Sequence, residues 1–538
     1  MLREPELMRH SPLVTPAKQK SILSRHCALL TLTAALYLTS LISSARGQST
    51  QAIADANHGA EITITVNLEA PSHPFPHFWE QMYGSGRALL SLRESYRDDL
   101  RDVKRVTGFE YIRFHGIFLD EVGLYDEDKD GNPVYNFSYI DQIYDGLLKN
   151  HVRPFVEMSF MPNKLTSDAK LVQSFWYKPN VAPPKDWDKW DKLVEAFARH
   201  LVERYGEDEV AQWYFEVWNE PNLDFWTGEP RESTYYELYD RAARAIKRVS
   251  PRLRVGGPAT AQAAWADRFL AHCKANNVPV DFVSTHVYGN DKAEDVFGTH
   301  EVIPRDRMVC RAVQKVHEQI LASAYPKMPL IWSEFNADYS NQTQVTDSAY
   351  LGPWMADTIR QCDGLTAMMS YWTFSDVFEE QGVVKKPFYG GFGLLAEDGI
   401  PKPAFNDFAI LHKLGDQRIG LDSDSALLTR RKDGGIVLAV WGKMVPPEEQ
   451  PSSADVVRLE FKGLTGKHTA RVTIVDDEHG SPLPAYQKMD SPQFLTQAQI
   501  TQLRAAAALP EAHSIPITDN TLKLTLRGHA LALVEIDR

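Results

Sequence analysis

The segment Trp-Tyr-Phe-Glu-Val-Trp-Asn-Glu-Pro-Asn-Leu, residues 213–223, is an apolar and aromatic run that ends in polar side chains. Its first half has the composition of a buried parallel strand. Pro221 ends that strand, because proline lacks an amide hydrogen and holds the preceding residue extended. Asn219 and Glu220 are therefore predicted at the carboxyl end of a strand. In a parallel α/β barrel, this end carries the catalytic residues.

Short apolar strands alternate with helical patterns from about residue 61 to residue 415, which predicts an α/β fold. Strands are predicted at residues 79–84, 111–115, 154–159, 213–218, 253–257, 282–288, 330–335 and 366–374. Eight strands separated by helices predict a (β/α)₈ TIM barrel. An open doubly wound sheet is the alternative, but the sequence contains no dinucleotide-binding or Walker-type glycine motif.

The pattern changes near residues 415–424, and short alternating strands with turn signals follow. We expect the barrel domain at 61–415 and a β-sandwich accessory domain at 416–538. The accessory strands are predicted at 425–431, 435–441, 456–462, 469–476 and 522–535, with a helix at 496–508. An alternating strand at 61–67 belongs either to the barrel or, by pairing, to the accessory domain.

The N-terminus has the pattern of a secretory signal peptide. Residues 1–26 are mildly basic, residues 27–42 are uncharged and mostly apolar, and the small residues 43–45 follow. We predict a signal peptide at 1–47 and a polar linker at 48–60. An uncleaved anchor is the alternative, although the apolar run is short for a membrane-spanning helix. The protein is expected to be exported, either to the periplasm or to the medium, with no membrane association after signal removal.

Charge and cysteine content limit the partners and the covalent links. A formal net charge of -13 argues against nucleic acid or an anionic membrane as a partner. Removal of the signal peptide leaves Cys273, Cys310 and Cys362, which allow one disulfide at most. Their irregular spacing gives no metal-site pattern, and the sequence has no His-Glu-x-x-His motif of a metal-dependent hydrolase.

A second carboxylate ends another predicted strand. The segment Leu-Ile-Trp-Ser-Glu-Phe-Asn, residues 330–336, again leads from apolar residues to a glutamate, Glu334. Glu220 ends the fourth predicted strand and Glu334 the seventh, so both are expected on one edge of the barrel. Cleavage of a glycosidic bond requires such a pair, because one carboxyl group protonates the leaving oxygen while the other attacks the anomeric carbon or activates water.

The segments Glu-Val-Trp-Asn-Glu-Pro-Asn (216–222) and Ser-Glu-Phe-Asn (333–336) resemble the two catalytic signatures of glycoside hydrolase family 39. This family includes β-xylosidases and α-L-iduronidases, and the resemblance covers about residues 60–538. It implies that Glu220 is the general acid/base and Glu334 the nucleophile of a retaining double displacement. No cofactor or metal is implied.

The resemblance to the xylosidase branch also implies substrate-binding residues. Asn219 is expected to bond the sugar 2-hydroxyl, Tyr288 to donate to Glu334, and Trp372 to form an apolar platform beneath the sugar. Glu379 and Glu380 are expected to accept from hydroxyls far from the anomeric centre. His115 and His286 are expected to bind hydroxyls or to position the carboxylates. Two acidic residues inside predicted strands are interpreted as buried structural carboxylates, Glu157 and Glu216.

The leading hypothesis is an exo-acting β-xylosidase that releases xylose from the non-reducing ends of xylo-oligosaccharides. The same mechanism could act on another sugar, as in an α-L-iduronidase, an arabinosidase or a β-glucosidase, or in an endo-acting enzyme. Glu379 and Glu380 would repel a uronic acid, although Lys385 and Lys386 lie nearby in the sequence. A non-catalytic carbohydrate-binding protein is the alternative from another class, but it would be expected to have lost one of the two carboxylates.

Overall fold

The computed structural model describes Gly59, residues 61–449 and residues 453–537. The predicted signal peptide at 1–47 and most of the predicted linker at 48–60 lie outside the described residues. Among the helices that the structure describes, none has the length and apolar character needed to cross a membrane.

The centre of the molecule is a closed barrel of parallel strands, which confirms the predicted TIM barrel. We label the barrel strands β1 (Met82–Ser85), β2 (Tyr111–Phe114), β3 (Arg153–Met158), β4 (Tyr214–Val217), β5 (Arg254–Thr260), β6 (Phe282–Tyr288), β7 (Leu330–Asn336) and β8 (Met368–Tyr371). Each strand pairs with the next one along the chain, and β8 pairs with β1 to close the barrel.

One long helix follows each strand and covers the outside of the barrel. These helices are α1 (Glu94–Val106), α2 (Ser138–Lys149), α3 (Trp187–Tyr205), α4 (Arg231–Val249), α5 (Ala266–Ala275), α6 (Arg305–Ala322), α7 (Leu351–Cys362) and α8 (Pro403–Leu411). Shorter helices lie in the connections, at Ala88–Leu92, Glu207–Val210, Ala261–Ala263, Ala293–Phe297, Thr343–Thr346 and Glu397–Gly399. A small hairpin follows β2, with strands Tyr125–Glu127 and Pro133–Tyr135.

Large side chains fill the interior of the barrel near the N-terminal ends of its strands. This separate buried cluster contains Met82, Phe155, Phe282, Ile331 and Met368, one from each of five strands. A plugged lower half leaves the C-terminal ends of the strands as the open end of the barrel.

The accessory domain consists of two sheets that pack face to face, which confirms the predicted β-sandwich. The larger sheet has the strand order Ser72–Pro74, Gln417–Ile419, Ala426–Arg430, Ile436–Trp441, Leu531–Ile536, Thr469–Val475 and His513–Pro516. The smaller sheet has the order Glu61–Asn67, Asp455–Lys462 and Thr521–Leu526. Two helices, Leu483–Lys488 and Gln497–Ala506, and a short pair, Leu395–Ala396 with Ile400–Pro401, complete the described chain.

The N-terminal residues 61–74 provide strands to both accessory sheets, so this domain is built from both ends of the described chain. Strand Glu61–Asn67 runs parallel to Asp455–Lys462, and Ser72–Pro74 pairs with Gln417–Ile419. The predicted strand at 522–535 is two strands in different sheets. Gly528, with φ of +56°, lies in the turn that separates them, and this conformation suits glycine.

The larger sheet packs against the smaller sheet on one face and against the barrel helices on the other. Leu428 and Leu438 face the smaller sheet, whereas Leu427, Val437 and Leu533 belong to the same buried core as the barrel helices. This pattern follows from the two-residue period of a strand, which places neighbouring side chains on opposite faces.

A disulfide joins Cys310 of α6 to Cys362 of α7, and Cys273 is buried as a free thiol. The sequence allows one disulfide among these residues, and the structure identifies the pair.

Candidate active site

The backbone around Glu220 turns sharply at the C-terminal end of β4. Trp218 and Glu220 have φ angles of +74° and +44°, in the left-handed region that costs a residue with a side chain about 1 kcal/mol or more. The Glu220 amide donates to the carbonyl oxygen of Ala259 at the end of β5, at 2.8 Å. The turn therefore fixes the Glu220 side chain over the open end of the barrel.

Arg113, on β2, connects the carboxylates at the centre of the barrel. Its Nε donates to Glu216 Oε2 at 2.6 Å, and its Nη1 donates to Glu334 Oε1 at 2.5 Å. Its Nη2 donates to Asn219 Oδ1 at 2.9 Å and lies 2.8 Å from Glu157 Oε2. The side chain is fully buried, so its charge is compensated by carboxylates rather than by water.

Glu334 is a buried carboxylate with two fixed donors. Tyr288, at the end of β6, donates its hydroxyl to Glu334 Oε2 at 2.7 Å, and Arg113 binds the other oxygen. Burial raises the pKa of Glu334, while Arg113, His115 and the Tyr288 hydrogen bond oppose that rise. The donors leave Glu334 oriented, with both oxygens held.

Among the residues that the structure describes, none is an arginine that binds Glu220 in this way. Burial, and then repulsion from the Glu334 carboxylate, hold the pKa of Glu220 well above its ordinary value. One oxygen of each carboxyl group lies within 4.8 Å of the other. Two neighbouring carboxyl groups in contrasting surroundings typically divide into one acid and one carboxylate at neutral pH.

His286 links Glu220 to the buried network, and the network determines which ring nitrogen carries its proton. Ser333 donates its hydroxyl hydrogen to Glu216 Oε1 at 2.7 Å, so its oxygen accepts from His286 Nε2 at 3.1 Å. Burial and the charge of Arg113 keep the pKa of His286 well below its ordinary value, so the ring is neutral. Its Nδ1, 3.0 Å from Glu220 Oε1, is therefore an acceptor, and protonated Glu220 is the donor.

His115, at the end of β2, is a charged histidine in the same site. Burial disfavours its charge, but Glu157, 2.7 Å from Nδ1, together with Glu380 and Glu334, raises the pKa of His115 to about 10. Its Nε2 lies 3.5 Å from Glu380 Oε1, whose pKa burial raises. The interpretation of Glu157 and Glu216 as structural carboxylates agrees with these contacts, because Glu157 anchors His115 and Glu216 anchors Arg113.

Trp372, just beyond β8, forms one wall of the site. A Cβ atom on Gly84 of β1 would lie 2.1 Å from Trp372 Cε3, so only glycine allows the ring this position. The ring centroid of His115 lies 4.8 Å from that of Trp372. The indole therefore fills the space between β1 and His115, and the remainder of its surface faces the cavity.

A cavity of about 360 Å³ opens over these residues at the C-terminal end of the barrel. The predicted residues that line it are His115, Asn219, Glu220, His286, Tyr288, Glu334, Trp372 and Glu380. Loop residues that the sequence did not identify also line it, among them Phe175, Gln262, Asp291, Lys292, Asp295, Tyr339 and Phe392. Arg113 was also missed as a site residue, although its position two residues before His115 in one strand places both side chains on the same face.

The carboxylate of Glu379, which is predicted to bind substrate hydroxyls, is held by two arginines. It is absent from the cavity lining, and its carboxylate binds Arg93 Nη1 at 2.6 Å and Arg87 Nη1 at 3.0 Å. Burial alone would raise the pKa of Glu379, but these arginines lower it. The charge at this position is used to hold the loop that follows β8 against the segment that follows β1.

Several of these groups, such as Glu220, His286 and Glu334, are also of the type that ligates cations. In this structure, the positive charges facing Glu334 are those of Arg113 and His115. A parallel barrel with two close carboxyl groups in a cavity at its C-terminal end is the arrangement that defines many glycoside hydrolases.

Comparison with known proteins identifies the family. Residues 62–521 match the model for glycosyl hydrolases family 39. The chain is 37% identical over 479 residues to a β-xylosidase of Geobacillus stearothermophilus, covering 86% of this chain and 93% of that protein. It is also 37% identical to a β-xylosidase of Caldicellulosiruptor saccharolyticus, covering 88% of this chain and 98% of that protein.

Structural comparison agrees. A crystal structure of a monomeric β-xylosidase from Caulobacter crescentus CB15 matches with a TM-score of 0.79 and 34% identity, covering 88% of this chain and 99% of that one. The chain belongs to glycoside hydrolase family 39, and it is a glycoside hydrolase. The resemblance inferred from the two carboxylate motifs is confirmed.

Proposed function

We propose that the protein is a retaining exo-β-xylosidase in which Glu334 is the nucleophile and Glu220 the general acid/base. The observation that carries the proposal is the contrast between the two carboxyl groups. Glu334 is held by Arg113 and Tyr288, whereas burial and the Glu334 charge keep Glu220 protonated.

In the first step, Glu334 attacks the anomeric carbon and Glu220 gives its proton to the departing oxygen. Forming the ester removes the negative charge of Glu334, which was raising the pKa of Glu220. Glu220 is then a carboxylate of lower pKa and takes a proton from the incoming water. Water attacks the anomeric carbon from the face that the leaving group vacated, and the bond from that carbon to Glu334 breaks. Glu334 leaves as a carboxylate, and two inversions give net retention of configuration.

The separation of the carboxyl groups supports retention. Retaining enzymes hold them about 5–5.5 Å apart, whereas inverting enzymes leave about 6.5–9.5 Å for a water molecule. Here an oxygen of Glu220 lies within 4.8 Å of an oxygen of Glu334, which favours the shorter separation of a retaining enzyme. Asn219, whose Oδ1 is fixed by Arg113, keeps its amide group free to bond the 2-hydroxyl of the sugar.

The loops support exo action on a short chain end. The Trp176 amide, in the loop after β3, donates to the Glu380 carbonyl oxygen at 2.7 Å, in the loop after β8. Phe175, beside it, lines the cavity. This loop contact closes one side of the cavity, where an endo-acting enzyme needs an open cleft.

The charges of the cavity favour a neutral sugar, such as xylose. Acidic groups predominate in its lining, since Asp291, Asp295 and Glu380 accompany the two candidate catalytic residues. Lys385 and Lys386 line a neighbouring cavity, which shares only Glu380 with this one among the described residues. A second candidate, hydrolysis of a uronic acid glycoside, is favoured by Lys292, a cationic residue in the lining of the active-site cavity.

Kinetics of Glu220→Ala and Glu334→Ala test the proposed roles. Each variant should reduce turnover of an aryl β-xyloside by several orders of magnitude, and added azide should restore activity with a different product configuration in each. Near-normal turnover in either variant would contradict the assignment. Aryl glycosides that differ only in the sugar would separate the candidates, and faster turnover of an α-L-iduronide than of a β-xyloside would favour the second.

The proposal includes export, directed by a signal peptide at 1–47. The disulfide between Cys310 and Cys362 supports it, because structural disulfides persist mainly in oxidising compartments. N-terminal sequencing of the mature protein from periplasmic and medium fractions should find a start near residue 48. Recovery of the full-length chain in the cytoplasm would contradict this part of the proposal.

A further inference from the structure

A second cluster of ionisable side chains lies at the opposite end of the barrel from the active site. Glu80 lies two residues before β1, and His412 follows α8 directly. His77, in the segment before β1, completes the cluster. Because the catalytic residues follow the C-terminal ends of the strands, this cluster is separated from them by the filled interior of the barrel.

Two imidazole nitrogens converge on one carboxylate in this cluster. His77 Nδ1 lies 2.8 Å from Glu80 Oε1, and His412 Nδ1 lies 2.8 Å from the same oxygen and 3.0 Å from Oε2. One ligand-type atom from each residue lies within 4.8 Å of the others. The mechanism of glycoside cleavage makes no use of these residues.

We propose that His77, Glu80 and His412 form a site for a zinc ion that joins the beginning of the barrel to its end. Two histidines and one glutamate are a common ligand set for Zn²⁺, and water completes the tetrahedron. Bonds of about 2.0–2.2 Å place tetrahedral ligand atoms about 3.4 Å apart. The two nitrogen–oxygen separations of 2.8 Å therefore need to widen only slightly for the ion to enter between them.

The surroundings orient the ligands and admit a water molecule. The ring of His77 stacks on Trp79, with centroids 4.4 Å apart, which limits its rotation. Glu80 is buried, with a side-chain exposure of 3%, whereas His77 and His412 are 21% and 44% exposed. The carboxylate is therefore fixed at the base of the site, and the histidines form its open rim.

Nearby positive charges are offset by carboxylates. The cavity beside His412 is also lined by Lys413, Arg431 and Lys432. Arg431 binds Glu535 at 2.7 Å, Lys413 lies 3.9 Å from the same carboxylate, and Lys432 lies 3.9 Å from Asp416. These pairs lower the repulsion that the cations would exert on a divalent ion.

Zinc titration of the mature protein, without an affinity tag and after chelator treatment, tests the site. We expect the protein to bind one zinc ion per chain, as measured by competition with a colorimetric chelator. At a free zinc concentration of 100 times Kd, the melting temperature should rise by about 3 °C. His412→Gln and His77→Gln should each weaken zinc binding at least tenfold and remove the rise in melting temperature.

His200→Gln provides a matched control. His200 is also partly exposed and lies 2.6 Å from one carboxylate, Asp141, but no second imidazole joins this pair within the part of the chain that the structure describes. This variant should bind zinc as the unaltered protein does. The proposal would be overturned if both His412→Gln and His77→Gln kept the zinc affinity of the unaltered protein. It would also be overturned if Glu220→Gln lost zinc binding instead, or if the unaltered protein bound less than one ion per chain.

Discussion

Ser333→Ala should alter the pH dependence of catalysis, although Ser333 is absent from the lining of the active-site cavity. The Ser333 hydroxyl binds Glu216 and thereby keeps the proton of His286 on Nε2. Without that hydroxyl, the imidazole proton is free to move to Nδ1 and to donate to the ionised form of Glu220. This new hydrogen bond stabilises the carboxylate, so the pKa of Glu220 should fall.

A hydrogen bond to a charged group contributes about 1.5–3 kcal/mol, which corresponds to a pKa change of about 1–2. The alkaline limb of kcat/KM reports the general acid of the free enzyme. It should therefore move to lower pH by up to that amount. The profile should be measured with an aryl β-xyloside that has a poor leaving group, since this substrate needs protonation by Glu220.

Two comparisons make the result specific. A dinitrophenyl β-xyloside needs little acid assistance, so its kcat/KM at neutral pH should change far less. Ser333→Thr keeps a hydroxyl group and should preserve the original pH profile. An alkaline limb that stays in place in Ser333→Ala would refute the assigned proton positions, even if overall activity fell.

Other predictions concern the nucleophile, the disulfide and a buried acid. Tyr288→Phe removes a buried hydrogen bond to Glu334 and should lower kcat/KM about 10–100-fold, with the acid limb at higher pH. Cys310→Ala with Cys362→Ala should lower the free energy of unfolding by about 2–4 kcal/mol in urea titrations. Burial raises the pKa of Asp407 well above its ordinary value, so Asp407→Asn should stabilise the protein near pH 7 by about 1–3 kcal/mol.

Each of these predictions has its own control. Tyr339→Phe alters another tyrosine of the cavity and should change kcat/KM less than threefold. A reducing agent should lower the urea midpoint of the unaltered protein but leave that of the double cysteine variant in place. Because the pKa of Asp407 is higher in the folded protein than in the unfolded chain, the unaltered protein loses stability as pH rises above the unfolded pKa. The advantage of Asp407→Asn should therefore vanish near pH 4. Equal stability of both proteins at pH 7 would contradict that reasoning.

The barrel was predictable from the sequence because its signals are local. Each strand is a short apolar run with turn residues behind it, and counting the runs places Glu220 after β4 and Glu334 on β7. The strand ends shift by a few residues, as at β1, which begins at Met82 rather than near residue 79. Backbone pairing, rather than apolar composition, decides these ends.

The contacts within the site were harder to predict, because they join residues that are far apart in the sequence. Arg113 meets Glu216 and Glu334 only after the barrel closes. The arginine partners of Glu379 were not predicted, because nothing near it in the sequence identifies Arg87 and Arg93. The choice between possible cysteine pairs likewise follows from the packing of α6 against α7.

The accessory domain has a consequence for how the chain is synthesised and for how it can be shortened. Strands Glu61–Asn67 and Ser72–Pro74 are made before the barrel, but their partners Asp455–Lys462 and Gln417–Ile419 are made only after the whole barrel. These two early strands must wait, unpaired, until the last quarter of the 538-residue chain is being made. A fragment that stops at residue 415 would leave them without partners permanently and expose the barrel face that the larger sheet covers. Removing this domain therefore requires cutting the gene at both ends.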